Sequence, residues 1–236
     1  MAERPALLLL PGLLCGAWVW TGQTAALADA ADITVADFFG FESIGAMADS
    51  VLATAPARFA VAGHSMGGRV ALEIVRKAPE RVSALALLNS GVHPRRPNEA
   101  EQRQVLVDLA HAEGMDALAR RWLPPMVAPA RTADAPFMER LAAEVRRATP
   151  EIFERQIRAL LNRPDAESVL STIACPTLVL GGHQDGWSPA DQQRSIAAGI
   201  ARASLTLIDD CGHMSPVEQP EAVSAALRGW LQTLTA

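Results

Sequence analysis

The sequence has no long basic run, no paired cysteines and no unbroken apolar run long enough to cross a bilayer. A net charge of -5 without a basic cluster argues against nucleic acid or an anionic membrane as the main partner, and leaves small-molecule chemistry as the expectation. Cys15, Cys175 and Cys211 are odd in number, far apart and without a C-x-x-C pair. They suggest neither a disulfide framework nor a zinc site, and they fit a reducing, cytoplasmic setting. The apolar opening is stopped by Pro11-Gly12 with no clean small-residue cleavage site behind it, so it reads as a strand and not as a signal peptide or a membrane span. There is no internal repeat, and tyrosine is absent altogether.

What remains is an ordinary globular composition. With 236 residues, half of them hydrophobic and a fifth charged, the chain can bury a large core as one domain carrying an insertion. Apolar runs of strand length recur near Ala6 to Leu10, Asp32 to Ala36, Arg58 to Ala62, Ala84 to Leu88, Thr177 to Leu180 and Leu205 to Ile208. Continuous runs such as Ala84-Leu85-Ala86-Leu87-Leu88 suit strands covered on both faces. Helical stretches separate them, so the expected fold is α/β, a doubly wound, mainly parallel sheet of about six strands. Functional residues in such sheets lie in loops beyond the carboxyl ends of the strands.

One interval breaks the alternation. From about Pro94 to Ser168 only helical pieces occur, Glu99 to Ala112, Met115 to Trp122, Ala135 to Ala148 and Glu151 to Leu161, separated by prolines. The expected division is therefore a core made of residues 1–93 and 169–236, with an all-helical insertion over 94–168. Val223, Leu227, Trp230, Leu231 and Leu234 recur at helical spacing, which predicts a final helix packed on the sheet.

The chemistry centres on Gly63-His64-Ser65-Met66-Gly67. A G-x-S-x-G turn between a buried strand and a helix projects its serine above the sheet edge, and the two glycines admit the close backbone approach the turn requires. Ser65 is thus the candidate nucleophile. A serine hydroxyl needs a base and an orienting carboxylate. Of five histidines, His213 follows the last strand and precedes the final helix, where a loop can bring an imidazole over the sheet edge. Asp185 follows the penultimate strand, whereas the loop after the strand before it offers Asn89 and Ser90 but no carboxylate. The N–H of Met66 is one expected oxyanion donor. The second comes from the loop after the first strand, Leu13 in the first place and Leu14 as the alternative.

These residues together resemble the α/β-hydrolase fold superfamily over nearly the whole chain, in the form of small capped carboxylesterases and enol-lactonases. Asp37 to Ser43 looks like the family's D-x-x-G-x-G-x-S segment with Glu42 in place of a glycine and the serine one place early. Gly182 to Pro189 looks like its acid loop, and Gly212-His213 through Pro220 like its histidine loop. Pro11-Gly12 departs from the family's His-Gly oxyanion motif, and the short lead into the first strand leaves no room for an initial antiparallel hairpin. The resemblance implies that the insertion is a cap that chooses substrate. Trp122, Met126, Phe137, Trp187 and His93 are the expected pocket wall, with Phe153, Trp18 and Trp20 as further candidates. Arg95, Arg96, Arg120, Arg121, Arg146 and Arg147 are candidates for a substrate carboxylate.

The expectation is a cofactor-free serine hydrolase, with no metal, that cleaves a small ester or lactone as a monomer or homodimer. Dehalogenase and epoxide-hydrolase chemistry is disfavoured, because those enzymes use aspartate where Ser65 stands and the latter need cap tyrosines. Carbon-carbon bond hydrolysis, thioester cleavage, perhydrolysis and slow-turnover ligand sensing stay open on the same triad.

Overall fold

A computed structural model describes residues 4–234; residues 1–3 and 235–236, assigned to the core from sequence, lie outside the described residues. The expected strands are all present, each within two residues of its expected ends: β1 (Ala6–Leu10), β2 (Asp32–Val35), β3 (Phe59–His64), β4 (Val82–Leu88), β5 (Thr177–Gly182) and β6 (Ala203–Ile208). They form one all-parallel sheet in the order β2-β1-β3-β4-β5-β6. Every residue of β3 and β5 is buried, while the edge strands β2 and β6 keep partly exposed positions. Continuous apolar runs therefore mark the centre of the sheet.

The order places the site. The chain steps from β1 outward to β2 and then back across β1 to β3, so the connections leave the β1 and β3 carboxyl ends in opposite directions. A crevice opens at such a switch point. The loop after β1 carries Leu13, the turn after β3 carries Ser65, and Leu10 pairs with Gly63 across the gap.

The core helices are α1 (Thr21–Ala26), α2 (Ile44–Thr54) and α3 (Met66–Lys77) before β4. Ser43 caps α2 by accepting the Ala46 N–H at 3.4 Å, which accounts for a serine at that end of the Asp37–Ser43 segment. Between β4 and β5 the chain runs only through helices, chiefly α4 (Glu99–Trp122), α5 (Ala135–Arg146) and α6 (Pro150–Leu161). The two expected helical pieces before Trp122 are one run broken at Gly114, whose φ of 82° and ψ of 177° are non-helical. α7 (Ala190–Ala198), α8 (Ser215–Glu218) and α9 (Pro220–Gln232) complete the chain, and Val223, Leu227, Trp230 and Leu231 bury the α9 face as its spacing predicts. Among the described residues no helix is long and apolar enough to cross a membrane.

Candidate active site

Ser65 sits between β3 and α3 with φ 53° and ψ -113°, a conformation sparsely populated by any residue with a side chain. Its surroundings enforce that strain. A Cβ on Gly63 would run into the Gly67 backbone, and one on Gly67 into the Leu10 carbonyl, so both glycines of the motif are required sterically. The turn is tied down by the Ser65 N–H donating to Leu88 O at 2.9 Å and by Ser90 Oγ donating to Ser65 O at 2.9 Å.

The structure brings Ser65, His213 and Asp185 into one hydrogen-bonded line. His213 Nε2 lies 2.8 Å from Ser65 Oγ, and His213 Nδ1 lies 2.9 and 3.1 Å from the two Asp185 oxygens. A carboxylate only accepts, so Nδ1 carries the proton and Nε2 is left to accept from the serine hydroxyl. Burial pushes the Asp185 carboxyl up, but the His213 ring and hydrogen bonds from His213, Asn89 and Ser188 outweigh it and hold the group down at about 2. Asp185 is ionised at neutral pH.

Asn89, which supplies no carboxylate of its own, orients the acid. Its Nδ2 donates to Asp185 Oδ2 at 2.9 Å and to Gly212 O at 3.1 Å, while its Oδ1 accepts from Ser215 Oγ at 2.5 Å. Its φ of 49° suits asparagine better than most residues. Glu218, only 1% exposed, holds the histidine loop: it accepts N–H groups of Gly212, Met214 and Ala128 at 2.7–3.1 Å. The His213 N–H adds a bond to Met126 O at 2.9 Å, so this loop and the helical insertion are joined through backbone.

Met66 is the first residue of α3, where a helix leaves N–H groups without intrahelical acceptors, and Leu13 faces the same cavity from the β1 loop. The Leu14 alternative is corrected by the structure, because its N–H is taken by Gln156 Oε1 at 2.8 Å.

A cavity of about 180 Å³ opens over Ser65, and Trp122, Met126, Trp187 and His93 line it as expected. Phe137 does not. It is buried inside the insertion under the Arg131 and Arg140 guanidiniums, 5.3 and 5.7 Å from its ring, because α4 and α6 wall the cavity and no residue of α5 reaches it. Phe153 packs against Trp122, and Trp20 edge-on against His64, both fully buried and off the cavity wall.

The other histidines are accounted for. His64 donates through Nε2 to His213 O at 2.8 Å, and burial, then the nearby His213 ring, pushes it down to about 3, so it is neutral. His111 pairs with Glu154 on the insertion at 3.0 Å, and His183 stands 3.6 Å from Asp209. Of the six arginines expected near substrate, Arg96 lines the cavity, while Arg146 and Arg147 pair with neighbouring carboxylates. The buried arginine in the cavity wall is Arg69, which the helical pattern of α3 concealed. Among the described residues no group of three or more His, Cys, Asp or Glu side chains is placed to hold a metal ion.

A six-stranded parallel sheet with a strained serine turn at its switch point defines the class. The chain belongs to the alpha/beta hydrolase family, whose pattern matches residues 7–226. Among its relatives is the RutD protein of Klebsiella pneumoniae, named as a carbamate hydrolase, 29% identical and spanning 98% of this chain and 92% of its own. A pimeloyl-[acyl-carrier protein] methyl ester esterase of Nitrosomonas europaea is 25% identical, with 92% of each chain covered. Among solved structures, a thermophilic esterase from Thermogutta terrifontis superposes with a TM-score of 0.88 at 27% identity, over 99% of this chain and 92% of that one. These relatives and neighbours are hydrolases of the same fold.

Proposed function

We propose that the protein is a serine hydrolase that cleaves a small carboxylic ester or lactone through an acyl-enzyme, with residues 94–168 acting as the cap over the site. The observation that carries this reading is the line Ser65 Oγ, His213 Nε2, His213 Nδ1, Asp185, with bonds of 2.8 and 2.9 Å.

In this reading Ser65 Oγ attacks the carbonyl carbon as His213 Nε2 takes its proton. The imidazolium so formed is stabilised by ionised Asp185, and the oxyanion accepts from the Met66 N–H at the α3 N-terminus and the Leu13 N–H on the β1 loop. Collapse returns the proton from His213 to the departing alcohol oxygen and leaves Ser65 acylated. Water then repeats the sequence, giving its proton to His213 and releasing the acid as Ser65 recovers its own.

An ester bond is favoured over the other bonds this triad can break by the two esterases among the proteins similar to this chain. The test is an initial-rate panel of alkyl esters, five- and six-membered lactones, thioesters and carbamates, run beside Ser65→Ala. The expected result is ester or lactone turnover at least about a thousandfold above the variant. Turnover confined to carbamates or thioesters would overturn the bond class, and an unchanged rate in Ser65→Ala would overturn the nucleophile.

A further inference from the structure

Away from Ser65 the cavity wall ends in charged groups whose charges do not balance. Glu99 is the carboxylate there, and it is saturated: Arg163 donates to its two oxygens at 2.7 and 2.6 Å, and Arg103 Nε to one of them at 2.9 Å. The remaining Arg163 donors go to the Leu160, Pro94 and His93 carbonyls. Among the described residues no carboxylate pairs with Arg69. Its Nη2 donates to His93 O at 3.2 Å and to His93 Nδ1 at 3.3 Å, both neutral acceptors. Its Nη1 is buried without a partner among the described residues.

Four arginines, Arg69, Arg96, Arg103 and Arg163, thus share this wall with one carboxylate, and Arg69 is left over while being only 8% exposed. His93 cannot add a compensating charge, since it is at most a cation, and burial followed by Arg69, Arg96 and Arg163 pushes it down to about 4. Burial, then Arg163, pushes Arg69 itself down to about 9, which still leaves it charged at neutral pH. A buried, unpaired cation is costly to a fold unless a ligand completes it. Arg69 lines the same cavity as Ser65. It stands in the first turn of α3, directly after the turn that carries Ser65.

We propose that the substrate carries a free carboxylate that the Arg69 guanidinium receives, so that the substrate class is a half-ester of a short dicarboxylic acid, or a lactone bearing a carboxylate. This deepens the proposed function and rests on Ser65 as nucleophile. Ser65 and Arg69 share one cavity of about 180 Å³, which keeps the spacer between the carboxylate and the scissile carbonyl short. A guanidinium N–H to a carboxylate in a dry pocket is a charge-assisted bond, and the planar fork discriminates an acid from a neutral isostere of the same shape.

The experiment compares charged and neutral isosteres. Monomethyl succinate, glutarate and adipate are assayed against methyl levulinate, methyl 5-oxohexanoate and methyl 6-oxoheptanoate, in which a methyl ketone replaces the carboxylate. The expected result is that kcat/KM for one acid exceeds that of its ketone by about 10- to 100-fold, that Arg69→Met brings this ratio to about one, and that Arg69→Lys restores part of it. Equal or lower kcat/KM for every acid in the unmodified enzyme overturns the proposal. Calorimetric titration of succinate, glutarate and adipate into Ser65→Ala gives a readout independent of chemistry. Binding that disappears in the Ser65→Ala, Arg69→Met double variant, with both proteins melting at the same temperature, supports the anion site even if no ester is turned over, in which case the hydrolase reading alone fails. Turnover of the neutral esters without dicarboxylate binding or preference leaves the hydrolase reading standing and removes this one.

Discussion

Gln156 accepts the Leu14 N–H at 2.8 Å and donates to the Phe38 carbonyl at 3.1 Å, so one fully buried amide on the insertion holds the loop that presents Leu13 to the cavity. Gln156→Leu keeps the volume and leaves both backbone groups unpaired, at about 1–3 kcal/mol of stability for each. The oxyanion loop then loses its support. The expected outcome is a kcat reduced about 10- to 100-fold with KM little changed, and affinity for an alkyl boronic acid reduced in parallel, since a loosened donor acts on the tetrahedral state and not on ground-state binding. A change in KM alone would place Gln156 in substrate binding instead.

The Asn89 contact with Asp185 leads to a second expectation. Asn89→Ala removes two donors that hold the acid and the Gly212 carbonyl, and should lower kcat/KM by about tenfold or more. Asn89→Asp should cost more than alanine despite its similar shape, because it sets a second carboxylate against Asp185 in a buried place. Steady-state kinetics of the two variants decide the order, and an aspartate variant more active than the alanine one would contradict the orienting role.

Stability should fall steeply in acid. Asp185 is held down from 3.8 to about 2, and Glu99 from 4.5 to about 2, where hydrogen bonds and charges from Arg163 and Arg103 overcome the opposing effect of burial. A carboxyl whose folded pKa is depressed contributes stability that is complete above its unfolded pKa and is lost as pH falls through the folded one. The window therefore runs from about pH 4.5 down to pH 2. Thermal melts between pH 6 and pH 2 should show Tm dropping through that range, and Glu99→Gln, which removes one of these depressed carboxyls, should flatten the drop.

The sheet and the Ser65, His213 and Asp185 line were legible because each rests on local pattern: an apolar run, a turn residue and a loop position after a strand. The glycines of the serine turn carried their own steric reason in the motif. Asn89, Gln156 and Arg69 were not legible, since their partners lie 96 or more residues away for the first two and in a three-dimensional charge imbalance for the third. Arg69 continues a helix whose neighbours are apolar, and nothing in spacing tells a buried arginine from a solvated one. Phe137 shows the converse. Its residue type suited a pocket wall, but α4 and α6 stand against the cavity and α5 does not, an arrangement set by the packing of three helices and not by one.

The central claim is that Ser65 is a nucleophile activated through His213. The most direct measurement is labelling of the intact protein with a fluorophosphonate, followed by mass spectrometry of the peptide that carries the adduct. The account predicts one adduct per chain, on Ser65, abolished in Ser65→Ala and slowed at least about a hundredfold in His213→Ala. An adduct on another residue, or unchanged labelling when Ser65 or His213 is removed, would contradict it.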